Sequence, residues 1–141
     1  MLILTIKARK DFVDIQKNKD NACYTPKLIL LTKKTPKKYI EVTAKRRAGE
    51  FVRLGLTVTK KLEKTAIGRN RIKRQLREAF KKLNPNLLKN HIDYQIIARK
   101  RIIDTEFKCI IKDLEDCLNN KVKEGFPLKR TKKKKSLKAK S

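Results

Sequence analysis

Residues 66–83 can bury only one side of whatever they form. Ile72, Leu76, Ala79, Phe80 and Leu83 recur at helical spacing and make one apolar face. At about 100° per residue, Asn70, Lys73, Arg74, Arg77 and Lys81 gather on the opposite side. Arg71 flanks that stripe near Glu78, and Arg69 projects at the core edge beside Ile72. Thr65 is the expected N-cap of a helix reaching about Leu83, and Pro85 marks its end.

A solvated helix face would mix cations with carboxylates. Here residues 69–82 carry seven basic side chains against one acid, so few i,i+4 pairs can neutralise them. Arg69 and Arg71 also lie towards the N-terminal end, where the helix dipole disfavours an exposed cation by about 0.3–1 kcal/mol. Such a violation is expected where function overrides stability. A phosphate held at this end would meet backbone N–H groups and guanidinium forks together. Arginine suits bidentate contacts better than lysine, so the face reads as a nucleic-acid contact.

The whole chain points the same way. Its net charge of +26 opposes compaction and calls for a partner that neutralises it. Nucleic acid does so with release of counterions. An anionic membrane would want a basic amphipathic anchor or a lipidation site, and neither end offers one. Residues 129–141 hold eight basic side chains and no acid, yet taking those eight away still leaves +18 on residues 1–128. The folded part is itself basic. Residues 126–141 are too polar and lysine-rich to pack and are expected to be a disordered tail behind one domain spanning 1–125.

Around the basic helix the pattern alternates between the two periods. Residues 10–17 (KDFVDIQK) read as a short helix with Asp11 near its positive end and Phe12 and Ile15 facing inward, followed by a loop with Asn18, Asp20 and Asn21. Residues 27–32 (KLILLT) and 39–44 (YIEVTA) are both plausible strands about the Pro36 turn, either as a hairpin or with one as an inserted excursion. In 53–59 (RLGLTVT), Leu54, Leu56 and Val58 take one face of a strand, and Arg53, Gly55, Thr57 and Thr59 take the other. That second face suits plain solvation and a ligand surface equally. Lys60, Lys61 and Lys64 form a loop, 94–98 (YQIIA) is a further strand, and a last helix runs from an Asp104 cap to about Leu118. The sum is an α+β sandwich of one sheet and its helices.

Cys23, Cys109, Cys117 and His91 have no metal-ligand spacing. An odd number of cysteines without a secretion signal argues for reduced thiols in a cytoplasm, with Cys109 and Cys117 packing on the apolar side of the last helix. Residues 1–6 are apolar over too short a run for a signal or a membrane span. His91, in the turn NHID, reads as an incidental surface residue, and no paired carboxylates suggest a two-metal site.

The stretch RLGLTVTKKLEKTAIGRNRIKRQLREAF, residues 53–80, closely resembles the signature of the bacterial ribonuclease P protein component family. The ordered set is a G-L-T-V-x-K-K strand end, a short loop, then R-N-R-x-K-R-x-x-R-E-x-F on a helix. Weaker similarity extends over about residues 4–118, including Lys10, Asp11, Phe12 and the run YQIIARK. The resemblance implies an α-β-β-β-α-β-α two-layer sandwich with a left-handed βαβ crossover around the basic helix.

It further implies that Lys60, Lys61, Arg69, Asn70, Arg71, Lys73, Arg74 and Arg77 bind the catalytic RNA subunit. A cleft between the first helix and the sheet would hold the 5′ leader of precursor tRNA, with Phe12, Thr57 and Lys73 mapping there. The protein would supply no catalytic residue and no metal ligand; Mg²⁺ would be bound mainly by the RNA subunit and substrate. The expected role is the monomeric protein subunit of a cytoplasmic ribonucleoprotein endonuclease that matures tRNA 5′ ends. A structural RNA-binding protein, such as a small ribosomal protein, is the alternative that shares the composition but not the ordered motif.

The chain also departs from the family's pattern. Gln16 stands where members often add a second aromatic, and Leu31 or Val42 stands for an aromatic of the first strand, depending on which early strand that is. Glu63 stands where many relatives have Gly, and the region 21–50 is longer than usual. Fewer stacking aromatics would leave leader binding more electrostatic.

Overall fold

A computed structural model describes residues 2–46 and 49–119; the expected tail 126–141, and the end of the domain drawn to 125, lie outside them. Its elements are β1 (Leu2–Thr5), α1 (Arg9–Asn18), β2 (Asn21–Tyr24), β3 (Leu28–Lys34), α2 (Lys37–Arg46), β4 (Phe51–Thr57), α3 (Ala66–Lys81), β5 (Ile92–Ala98) and α4 (Phe107–Leu118), with short 3-10 turns at Pro85–Leu87 and Lys100–Asp104. The strands form one mixed sheet in the order β1-β4-β5-β3-β2. β4 and β5 are parallel neighbours joined through α3, which makes the βαβ unit expected around the basic helix.

The alternation in β4 sorts the two faces as the sequence suggests. Val52 and Leu54 join Leu28, Leu30, Tyr94 and Ile96 under α3 and α4, where Ile72, Leu76, Phe80, Ile110 and Leu114 complete the main core. On the other face Ile6, Ile15 and Leu31 make a smaller core with Phe12, Ile29 and Ile97 beneath α1. This is the two-layer α+β sandwich, with α1 as a partial third cover.

Several expectations need correction. Residues 39–44 are not a strand: they lie in α2. Both edges of β3 are occupied, by β5 and β2, so no hairpin partner remains for that segment. The Pro36 carbonyl accepts the N–H groups of Tyr39 and Ile40 and starts a helix whose half-buried side is Tyr39, Ile40 and Thr43. The loop expected at 18–21 gives way to β2 at Asn21, so β2 is the first of the three strands between α1 and α3, and 27–32 belongs to the second.

The last helix starts at Phe107 with Glu106 as its N-cap residue, and not at Asp104. The Thr105 hydroxyl donates to the Arg101 carbonyl and the Thr105 N–H to that of Ile102, closing a 3-10 turn before the helix can begin.

Cys23 and Cys117 are joined in a disulfide, where separate reduced thiols were expected. The β2–β3 register turns Cys23 to the α4 side beside Leu30, and Ile110, Leu114 and Cys117 descend α4 as one stripe, so the two Cα atoms stand 5.7 Å apart. Cys109 is a half-buried free thiol.

His91 is structural. It has φ 61°, its N–H donates to the Phe51 carbonyl, its own carbonyl accepts from Thr35, and its ring lies 4.8 Å from that of Phe51.

Candidate nucleic-acid interface

A tight turn delivers β4 to the basic helix. The Thr59 carbonyl accepts the N–H groups of Leu62 and Glu63, which leaves Lys60 and Lys61 exposed on its outside. Thr65 caps α3 as its sequence position predicts: its hydroxyl oxygen accepts the Gly68 N–H at 3.0 Å. Glu63 reinforces the start, its carboxylate accepting the Thr65 N–H and hydroxyl at 3.3 and 3.2 Å. A carboxylate at this end is favourable to the helix dipole. Gly68 makes room for it, since a Cβ there would lie 2.6 Å from the Glu63 Cδ.

The arginines of α3 divide. Arg69 reaches back, and its Nη1 donates to the Glu63 and Lys64 carbonyls at 3.0 and 2.7 Å. Its awkward place near the helix N-terminus thus has a local structural reason, which sequence reasoning missed. Asn70, Arg71 and Arg74 are exposed and line a shallow hollow of about 260 Å³ with Ile67, which is 76% exposed. Positions i, i+3, i+4 and i+7 make these four one ridge. Among the described residues Arg71, Lys73, Arg74 and Arg77 have no carboxylate partner.

Lys73 and Arg77 are half-buried and turn away from that ridge into a cleft of about 290 Å³. The cleft opens where β1 stops. The Ile6 N–H donates to the Leu54 carbonyl, and β4 then runs on while the chain leaves through Lys7 towards α1. Leu54 and Leu56 form its apolar floor, Thr5, Ile6, Lys7 and Phe12 one wall, and Lys73 and Arg77 the other. The structure thus brings Phe12 and Lys73 together, as the leader-site expectation has them.

Thr57 is not in that lining. It stands on the α1 face of the sheet, and its hydroxyl oxygen accepts from the Gln95 Nε2 at 3.0 Å. Lys7, whose signal was only its charge, was missed. Of the positions where an aromatic was absent, Gln16 is exposed, Leu31 is buried in the core beneath α1, and Val42 is exposed on α2.

Beside the cleft, α1 is held down by a buried charge cluster. Arg53, only 6% exposed, has its Nη2 3.2 Å from the Asp11 carboxylate and its Nε 3.5 Å from that of Asp93. The Tyr39 hydroxyl donates to Asp11 at 3.0 Å, its ring lies 4.2 Å from the Arg53 guanidinium carbon, and the Thr35 hydroxyl donates to Asp93 at 2.7 Å. Burial raises the Asp93 pKa against the opposing pull of the Thr35 hydroxyl and Arg53. Burial also raises that of Tyr39, helped by its bond to Asp11. The strand pattern places Arg53 only on the second face of β4; nothing in a single strand shows that two distant carboxylates meet there.

A ridge of cations without carboxylate partners and an apolar-floored cleft walled by lysine and arginine have the chemistry that suits RNA backbone and unpaired bases. The ribonuclease P family model matches residues 4–122. A ribonuclease P protein component of Macrococcus caseolyticus is 32% identical over 121 residues, covering 86% of this chain and 90% of that one. The chain belongs to the ribonuclease P protein family.

Another ribonuclease P protein component, from Desulfatibacillum aliphaticivorans, is 46% identical over 77 residues, 55% of this chain; the match spans 63% of that relative, less than two thirds of its length. The solved structure of the Staphylococcus aureus ribonuclease P protein superposes with a TM-score of 0.62 at 29% identity, covering 83% of this chain and 94% of that one. Set against the α-β-β-β-α-β-α order implied for ribonuclease P proteins, α1, β2, β3, β4, α3, β5 and α4 fit in sequence, while β1 and α2 are additional. Among the described residues no helix is long and apolar enough to cross a membrane.

Proposed function

We propose that this chain is the protein subunit of ribonuclease P. It docks on the catalytic RNA through the exposed row Asn70, Arg71 and Arg74 with Lys60 and Lys61 beside it, and it holds the 5′ leader of precursor tRNA in the cleft of Phe12, Lys73 and Arg77. The observation that carries this reading is the division of α3 into two cationic rows, one facing outward and one walling the cleft. One helix can then touch two RNA segments at once.

The protein's part is electrostatic and positional. Cations on both rows screen phosphate repulsion where subunit and substrate come together. Leader contacts make binding of the cleavage site effectively intramolecular. Among the described residues no group of three or more His, Cys, Asp or Glu side chains could hold a metal ion, and the half-buried Asp11 and the buried Asp93 are taken up by Arg53. In this proposal Mg²⁺ and the hydrolytic site belong to the RNA subunit with its substrate, in a cytoplasmic ribonucleoprotein carrying one copy of the protein. The cytoplasmic location rests on those RNA partners, since the Cys23–Cys117 bond removes the argument from reduced thiols.

The test is 5′ processing of a precursor tRNA by the cognate catalytic RNA at low Mg²⁺, with and without this protein. Added protein is expected to raise cleavage and substrate affinity. Unchanged processing would sink the proposal.

A further inference from the structure

The helix α2 contributes no buried residue to either core, yet the fold keeps it. Only Tyr39, Ile40 and Thr43 are half-covered, and a ten-residue helix has little stability of its own in water. What pins it is polar: the Tyr39 hydroxyl on Asp11 in the first turn of α1, and the Tyr39 ring on Arg53. Its outer surface carries Lys37, Lys38, Lys45 and Arg46 against a single acid, Glu41. Among the described residues none of the four cations has a carboxylate within ion-pair distance.

Lys37 and Lys38 sit in the first turn, which holds no acid, where the dipole disfavours cations. Positions i, i+4 and i+7 put Lys38, Val42 and Lys45 on one exposed ridge, with Val42 51% exposed. The ridge on α3 has the same make-up, an exposed aliphatic flanked by cations.

The side of the sheet decides which RNA this ridge would meet. α3 packs on one face; Tyr39 rests on Arg53 and Asp11, which belong to the face covered by α1. Lys38 is close enough to Asp14 of α1 to help hold that carboxyl below its ordinary value, after the larger effects of Asn18 and Lys33. The ridge therefore belongs to the α1 layer, on a helix held to Asp11, the residue before Phe12, and on the opposite layer from α3.

We propose that α2 extends the single-strand track of the cleft, with Lys38 and Lys45 contacting phosphates of the 5′ leader of precursor tRNA beyond the nucleotides held at Phe12. The proposal rests on the leader reading given above. Its ligand is a flexible phosphodiester strand, met by two cations on one helical row and not by a shaped pocket. Such contacts add affinity with little preference for base identity.

The experiment measures precursor tRNA binding to the reconstituted holoenzyme over a series of leader lengths and salt concentrations. Wild type and a Lys38→Ala/Lys45→Ala variant are compared with Val42→Lys, which adds a cation to the ridge. The double variant should match wild type on short leaders and weaken binding only once the leader is long enough to reach α2. There its log–log salt slope should fall by roughly 0.7 for each lost contact. Val42→Lys should tighten long-leader binding alone, which mere damage to the fold could not do. Equal loss on every substrate, mature tRNA included, or no loss on any, would overturn the proposal. A wild-type affinity indifferent to leader length would overturn the leader reading itself, and this extension with it.

Discussion

The Phe12 ring occupies the space that a side chain at position 55 would need. A Cβ built on Gly55 overlaps the ring's Cε1, lies 3.0 Å from its Cζ and stands 3.3 Å from the Ile6 Cβ. Gly55 is thus what lets α1 lie close on the sheet and sets where Phe12 enters the cleft. Gly55→Ala should cost about 1–3 kcal/mol by overpacking, because backbone and a core residue stand around the ring. It should also blunt the leader dependence of precursor binding while leaving docking on the RNA subunit intact. Urea unfolding and leader-length binding series check both; a variant as stable as wild type would show that the contact is not close.

Arg69 and Arg71 should separate, although they lie two residues apart in one motif. Arg71→Ala removes an exposed cation without an internal partner, so affinity for the RNA subunit should fall and the salt slope should drop by roughly 0.7–0.9 with unfolding unchanged. Arg69→Ala frees the Glu63 and Lys64 carbonyls and should cost about 1 kcal/mol of stability, with a smaller change in slope. Salt-dependent binding and thermal unfolding of the two variants decide it. Equal slopes with equal stabilities would refute the division.

Legibility in the sequence followed the range of the interactions. The helix α3, its Thr65 cap and its apolar stripe are written within one segment, and they were readable. So were the faces of β4, since alternation is local. The segment 39–44 was not, because its β-prone residues fit either period and the choice was made by β2 and β5 filling both edges of β3. In the site, the cations of α3 were visible as charge, but the commitment of Arg69 to the preceding loop depends on a backbone turn that no pattern displays. Phe12 and Lys73 share a cleft only because β1 ends at Thr5, and the Arg53 cluster needs residues from three separated segments.

The pH dependence of stability should carry the mark of Asp93. Burial holds its carboxyl pKa above the ordinary value of 3.8, so between 3.8 and that raised value the folded state binds more protons than the unfolded one. The contribution of this group to stability therefore grows as pH falls through the raised value towards 3.8, and shrinks as pH rises. Asp14, held low by Asn18 and Lys33, has the opposite sign: its contribution is lost as pH falls through its folded value. Asp93→Asn should remove the first slope and leave the second, so the stability gap between wild type and variant should move in favour of wild type on acidification. Urea titrations across the acid range measure it; a gap independent of pH would mean that Asp93 titrates alike in both states.

Reduction should destabilise the fold, because the bond it breaks closes a long loop. The Cys23–Cys117 bond joins the outer strand β2 to the last turn of α4 across a separation of 94 residues. Closing a loop of that length removes unfolded-state entropy worth about 4–5 kcal/mol in the chain-entropy treatment, with measured values commonly lower. Both sulfurs are buried against the main core, so Cys117→Ser also places a hydroxyl among Leu30, Leu114 and their neighbours. The two effects can be told apart, because the variant should unfold at the same denaturant concentration with or without reductant while wild type should not. Cys109, the free thiol, is the internal control: Cys109→Ser should retain the full response to reductant. If wild type unfolded identically in both conditions, and alkylation counted three thiols without reductant, the bond would not exist in solution.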